Sequence, residues 1–313
     1  MPNIATLELK KPSYIVPVEI IEQSAKDLSN YAIRIELTKE NFDLWDKIGA
    51  NAENLYVVDE NYRVIPYWFE EIDMQNYFIR LWAKIPSIPA NSKKKIFIFI
   101  ESPNPYPDYR DPSKVFTFFD DFIGGLDTTK WGLDTDAWSG DDVIYTGGSD
   151  NEVYLKEFTV TDGILESKTK LDTGARGNIK IRADPNCFGA EAHSAMCAYD
   201  FNGRYPNSDI RLRKFTSAGE VDLQVVSHTW DTEFHIWGIS AIGSKLKLWL
   251  DYTEITSAVD TDFASGTIAF GSDRIDSGCI YFDWIRVRPF TDPEPTVNVY
   301  PAIIPYKGTY DLY

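Results

Sequence analysis

The chain has 313 residues, 43% hydrophobic and 25% charged, which excludes a disordered polymer and leaves room for two compact domains. Lys and Arg number 31 against 48 Asp and Glu, a net charge of -17. A chain so acidic is repelled by phosphate backbones and anionic headgroups, so neither a nucleic-acid partner nor membrane insertion is expected. No apolar run approaches the roughly 18 residues that span a bilayer.

In chain order, short alternating runs at 13–21, 31–37, 55–58, 63–69, 77–85 and 95–100 read as strands. Residues 39–49 are expected as a short helix, with Phe42, Leu44, Trp45 and Ile48 on one face. Four prolines follow (Pro103, Pro105, Pro107 and Pro112), and proline cannot donate to a ladder, so a domain boundary is expected between 101 and 114. Strand signals resume from 115 to 288. Asp162-Gly163 predicts a type I′ hairpin joining 153–161 to 164–171, with Glu157 opposite Lys168 and Thr159 opposite Glu166. Gly243-Ser244 predicts a second hairpin pairing Trp237 with Leu250, Ile239 with Leu248, Ala241 with Leu246, Ser240 with Lys247 and Gly238 with Trp249. A third sets Leu212 against Leu223, Arg213 against Asp222 and Arg211 against Gln224. Each hairpin buries one face and leaves the other polar, as antiparallel sheets with one wet side do. A last strand at 279–288 precedes the stiff spacer Asp292-Pro293-Glu294-Pro295. The tail beyond, with Tyr300, Tyr306, Tyr310 and Tyr313, is apolar enough to dock on its own chain or on a partner.

Two family resemblances lie in these runs. Val64-Ile65-Pro66-Tyr67-Trp68, then Leu81-Trp82-Ala83-Lys84-Ile85-Pro86, Ser87-Ile88-Pro89, the apolar strand 95–100 and Phe118-Phe119-Asp120-Asp121-Phe122 resemble the prokaryotic domain of unknown function number 2341, over roughly 12–122. That resemblance implies a small β-domain of surface-exposed proteins with no catalytic residues. Asp120-Asp121-Phe122, the stretch 126–131, the strand 246–251 and Tyr281-Phe282-Asp283-Trp284-Ile285-Arg286-Val287-Arg288 resemble the concanavalin A-like lectin/glucanase (LamG-like) jelly roll, over about 118–290. Lectins, hydrolases, lyases and structural modules share that fold, so it implies no single function. The expected architecture is all-β: a β-sandwich domain at 1–112, a concanavalin A-like jelly roll at 113–290 and a docking tail at 291–313.

A retaining glycosidase needs two carboxylates about 5–5.5 Å apart. The laminarinase-type Glu-x-Asp-x-Glu strand does not occur; Glu220-Val221-Asp222 and Glu233-Phe234-His235 lack the third acid. Asp134, Asp136, Asp141 and Asp142 cluster in a Gly/Ser-rich stretch that reads as a solvated acidic loop or a weak calcium site, without EF-hand spacing. His193 and Cys197 alternate, a weak zinc signal. Neither a phosphate loop nor a nucleophile elbow is present. Cys187 and Cys197 either bridge across a turn or are buried small hydrophobes, and three cysteines rule out a disulfide scaffold.

What remains is binding. Sugar rings stack on aromatic side chains and their hydroxyls pair with polar ones. The candidate glycan-binding residues are Trp138, Tyr145, Tyr199, Tyr205, Trp230 and Trp249, with Arg211 and Arg213. Trp249 has a competing role as cover for Gly238, and Trp131, Trp237 and Trp284 read as core. The expected function is non-catalytic recognition of a polysaccharide or glycoprotein glycan, in adhesion. A structural subunit of a virion or cell-surface assembly, contacting neighbouring subunits, and a hydrolase or lyase with an atypical site are the alternatives. The first residues, Met1-Pro2-Asn3-Ile4-Ala5-Thr6, lack the basic start and apolar block of a secretory signal. The expected location is nonetheless extracellular, on a cell or virion surface, reached after removal of a leader, by lysis or on a particle.

Overall fold

A computed structural model describes residues 12–101, 107–187 and 196–305. The chain divides into two compact units, Met1–Phe116 with Thr291–Tyr313, and Thr117–Phe290. Both are built of β-strands.

The first unit has a four-stranded sheet, ordered Thr296–Val299, Tyr14–Ile21, Lys93–Ile100 and Leu55–Val58, and a three-stranded sheet, ordered Leu28–Thr38, Phe78–Ile88 and Tyr67–Asp73. Alternation drives the burial: Val16, Val18 and Ile20 are buried, as are Ile33, Ile35 and Leu37, and all belong to one apolar core. The segment after the spacer returns here, with Val297 opposite Ile20 and Val299 opposite Val18. Tyr300 donates to Glu19 at 3.1 Å.

Two expectations fail in this unit. Residues 39–49 fold as successive turns instead of a helix. Local polar bonds compete with the helix there: Asn41 accepts from the Thr38 N–H at 2.8 Å and donates to the Glu36 carbonyl at 3.0 Å, while the Trp45 indole donates to the Phe42 carbonyl. The apolar residues still reach the core, where Phe42 and Ile48 are buried. The strand expected at 63–69 begins at Tyr67, because Pro66 has no N–H and Val64 makes only an isolated bridge to Val58.

The second unit stacks two seven-stranded antiparallel sheets. Sheet I runs Gly219–Ser227, Asp209–Thr216, Cys197–Arg204, Ala175–Asp184, Thr267–Ile275, Glu152–Leu155 and Trp131–Leu133. Sheet II runs Thr253–Val259, Lys245–Leu250, His235–Ile242, Gly163–Leu171, Ile280–Arg288 and Phe118–Asp120, with Ile144–Thr146 also paired to Ile280–Arg288. Between them lies a core that includes Trp131, Ile179, Phe201, Leu212, Trp237, Leu248, Phe270 and Phe282.

The Gly243-Ser244 hairpin has the predicted register at all five pairs. In the third hairpin Arg213 faces Asp222 as expected, but a bulge beyond it sets Leu212 opposite Gln224 and Arg211 opposite Val225. The Asp162-Gly163 hairpin does not form. The chain leaves sheet I after Leu155, touches Gly266 at Val160 and enters sheet II at Gly163, so this turn connects the two sheets. Asp162 is engaged elsewhere, accepting from the Gly243 N–H at 2.9 Å and from Arg182 at 3.1 Å. Cys187 and Cys197 form a disulfide with a Cα separation of 5.6 Å, and Cys279 is free.

Candidate functional site: the polar face of sheet I

The core-facing residues of sheet I are Val153, Ile179, Ile181, Tyr199, Phe201, Ile210, Leu212, Ile268 and Phe270. Their alternates therefore line the opposite face, and those alternates are almost all polar. Register sorts them into three parallel rows. The first is Tyr154, Ala269, Lys180, Asp200, Arg213 and Asp222; the second is Glu152, Gly271, Asn178, Asn202 and Arg211; the third is Arg176, Arg204, Asp209 and Ser227. Lys180, Asp200 and Asn202 are 0% exposed, which for charged and amide groups demands partners.

The first row meets that demand. Lys180 pairs with Glu152 and lies 4.6 Å from the Phe215 ring centre. Arg213 forks onto Asp200, with Nε donating to Oδ1 at 3.2 Å and Nη2 to Oδ2 at 2.8 Å, and its Nη1 reaches Glu220 at 2.9 Å. Burial opposes the Arg213 charge, but Asp200 outweighs it and pushes its pKa up.

The other two rows do not. Among the described residues, eleven buried side-chain polar atoms have no hydrogen-bond partner, and seven sit on these two rows. Four are acceptors: Glu152 Oε2, Asn178 Oδ1, Asn202 Oδ1 and Asp209 Oδ1. Three are donors: the Nε atoms of Arg176, Arg204 and Arg211. Glu152, Asn178 and Asn202 form a buried floor, whereas Arg176, Arg204, Asp209 and Arg211 are partly exposed above it. Burial raises the pKa of Glu152, with Lys180 pulling the other way. Asp150 is raised by burial and then by the Asp273 charge. Arg204 is lowered by burial and by Arg211.

The sequence-predicted residues mostly lie elsewhere. Trp138 is a core residue, 5.3 Å from Phe270 and 5.6 Å from Phe282 between ring centres, and cannot be an exposed platform. Trp230 is buried against Trp237 and donates to the Asp209 carbonyl at 3.2 Å, so it too is corrected to core. The same correction applies to Tyr199, which is inaccessible, with its hydroxyl donating to Asp260 at 2.7 Å. Trp249 covers Gly238 and donates to Ser240 at 3.1 Å. Tyr145 is exposed beside Tyr281, on a strand paired to sheet II, and Tyr205 is partly buried. Of the eight, only Arg211 and Arg213 stand on the polar face, and Arg213 is consumed by its ion pairs.

Among the described residues no group of three or more His, Cys, Asp or Glu side chains could hold a metal ion. Asp141 accepts from the Gly124 N–H at 2.5 Å and Asp134 from the Glu152 N–H at 3.2 Å; Asp136 and Asp142 are exposed. His193 lies outside the described residues.

Sequence reasoning missed Arg176, Asn178, Arg204, Asp209 and Glu152. The available signal was period-two polarity: Arg176-x-Asn178-x-Lys180, Asp200-x-Asn202-x-Arg204 and Asp209-x-Arg211-x-Arg213 on three adjacent strands.

No curated protein matches the chain. Among solved structures it is similar to a carbohydrate-binding module, CBM66, from Bacillus subtilis, at 15% identity over 54% of this chain and 95% of that one, with a TM-score of 0.39. It is also similar to the Bacillus licheniformis β-glucanase, at 12% identity over 55% and 98% with a TM-score of 0.41. A third similar structure is the laminarinase catalytic domain of Thermotoga maritima, at 11% identity over 56% and 98% with a TM-score of 0.43. Residues 51–134 match the family model described as Domain of unknown function (DUF2341), a span that starts later than the expected 12–122 and runs into the second unit.

Proposed function

We propose that the second unit is a non-catalytic carbohydrate-binding module whose site is the polar face of sheet I. The observation that carries this reading is the cluster of partly exposed polar side chains, Arg176, Arg204, Asp209 and Arg211, standing over the buried polar floor of Glu152, Asn178 and Asn202. A sugar hydroxyl donates one bond and accepts others, so at this partly exposed rim it can bridge a carboxylate to a guanidinium at once. The protein then acts in adhesion or glycan capture outside the cell. The Cys187–Cys197 disulfide supports that location, since such bonds persist in oxidising compartments.

Affinity electrophoresis through neutral and acidic polysaccharides tests the reading. Retardation on at least one polymer is expected, and Asp209→Ala with Arg211→Ala should abolish it. Equal mobility on every polymer overturns it.

One observation favours a second reading, hydrolysis: Glu152 is a buried carboxyl with a raised pKa, suited to a general acid. Its companion is compromised, because both oxygens of Asp200 are held by Arg213. Release of reducing ends, lost in Glu152→Gln, would establish hydrolysis.

A further inference from the structure

We infer that the third row is an oxyanion subsite, so that the glycan bound by this face carries a carboxylate or a sulfate. The inference rests on the binding reading above and names its ligand class.

Arg176 and Arg204 are direct cross-strand partners on the same face. Like charges placed opposite each other on a sheet are destabilising, and here only Asp209, paired to Arg204, offsets the conflict. Arg176 makes no ion pair or side-chain hydrogen bond with any described residue, and its Nε is buried. Arg204 donates to Asn207 at 3.3 Å and makes a loose ion pair with Asp209, its Nε 3.7 Å from the carboxylate and without a hydrogen bond. Arg211 is one strand further on, beside Asn202; its two terminal nitrogens are taken by Asp222 at 2.5 Å and Asp209 at 3.2 Å, yet its Nε is unpaired. Three guanidinium groups thus keep their Nε donors unpaired on one patch of a protein whose net charge is -17. The two terminal nitrogens of a guanidinium present parallel donors that match two oxygens of one carboxylate or sulfate, and those of Arg176 hold no hydrogen bond to any described residue. An anion between Arg176 and Arg204 would pair both and relieve their repulsion.

The test compares matched polymers on the full chain: polygalacturonate against its methyl ester, and a sulfated galactan against the unsulfated one. Each pair shares a backbone and differs in the anion. Calorimetry at low salt should show the anionic member bound about tenfold or more tighter, the effect of one charge-assisted contact. That ratio should shrink as sodium chloride rises, a wild-type measurement that needs no variant to fold. In Arg176→Gln and Arg204→Gln, each checked by its melting curve, the ratio should fall to near one. A preference in only one pair identifies the anion as carboxylate or sulfate. Equal binding of both members of each pair, or a preference that survives both substitutions, overturns the subsite while leaving a neutral glycan site standing. No binding of any polymer overturns the subsite and the binding reading together.

Discussion

The second unit contains two buried glutamates whose contrast separates structure from function. Glu166, on sheet II, has both oxygens engaged: Arg286 Nε donates to Oε2 at 2.7 Å, Arg288 Nε to Oε2 at 3.0 Å, and Arg288 Nη2 to Oε1 at 3.0 Å. Burial alone would raise its pKa, but the two guanidiniums bring it down to about 2. Glu152, on sheet I, is equally buried, yet Lys180 and Asn178 serve only Oε1, and burial raises its pKa. Equal burial therefore gives opposite signs, and the number of charge-assisted donors decides which. A carboxylate saturated by arginines is a clamp, whereas Glu152 is left half-paired beside other half-paired groups.

Glu166→Gln should break the clamp and give the largest loss of stability. It removes the carboxylate that holds two buried guanidiniums, and removing one partner of such a network costs about 3–5 kcal/mol. The sign with pH follows from the lowered pKa: stability from Glu166 is fully present above about 4.5 and lost as pH falls toward 2. Urea unfolding followed by tryptophan fluorescence should show that acid-side loss in the wild type and a flatter acid limb in the variant. An unchanged midpoint would mean that the triad contributes nothing.

Glu152→Gln sharpens the contrast because its linkage runs the other way. A raised carboxyl pKa gives stability that is full below the usual 4.5 and lost as pH rises through the folded value. The variant should therefore lose less stability on going from pH 4 to pH 7 than the wild type does, while Glu166→Gln keeps that loss. Parallel pH curves for wild type and Glu152→Gln would contradict the assignment.

The sequence made the sheets legible and the site much less so. Alternation placed the strands of the first unit within a few residues, since a strand buried on one face writes its period directly. The Gly243-Ser244 hairpin was readable to the single pair because a two-residue turn fixes the register. The Asp162-Gly163 turn misled because the same dipeptide also serves a crossover, and only Leu155 leaving sheet I distinguishes them. Trp138 and Trp230 misled for a related reason: polar neighbours such as Ser139, Asp141 and Asp231 describe a loop, not the direction of the indole. The polar face escaped because no single strand reveals it. Its meaning lies in three strands side by side, and Asn178 meets Asn202, and Asn202 meets Arg211, only once the order of sheet I is known.

Trp249 tests whether aromatic exposure has any part in binding. Its ring covers Gly238, its indole reaches Ser240, and Phe290 packs edge-on at 5.6 Å. Trp249→Ala should cost about 1–2 kcal/mol by uncovering glycine backbone and losing an aromatic contact. Polysaccharide retardation should be unchanged, because Trp249 stands on sheet II and the site on sheet I. Lost retardation with an intact fold would move the site to the other sheet.

The smallest effect concerns a pair of histidines that the same logic splits in opposite directions. His235 Nδ1 is bonded to Asp251 at 2.7 Å and Nε2 to Asp231 at 3.0 Å, and these contacts outweigh burial to raise its pKa from 6.5 to about 9. His228, with its ring centre 6.4 Å away, has a buried Nε2 with no partner, and burial followed by the His235 charge lowers its pKa. Carboxylates again favour the charge and unpaired burial again opposes it. The His235 contribution is full below 6.5 and lost as pH rises through about 9. Because both partner carboxylates are largely exposed, solvent screening keeps the stability change small, and the titration itself is the better measurement. The assigned imidazole NMR resonances should give a midpoint near 9 for His235 and one below 6.5 for His228, and Asp251→Asn should bring the His235 midpoint down. Coincident midpoints for the two rings would show that the Asp231 and Asp251 bonds do not hold in solution.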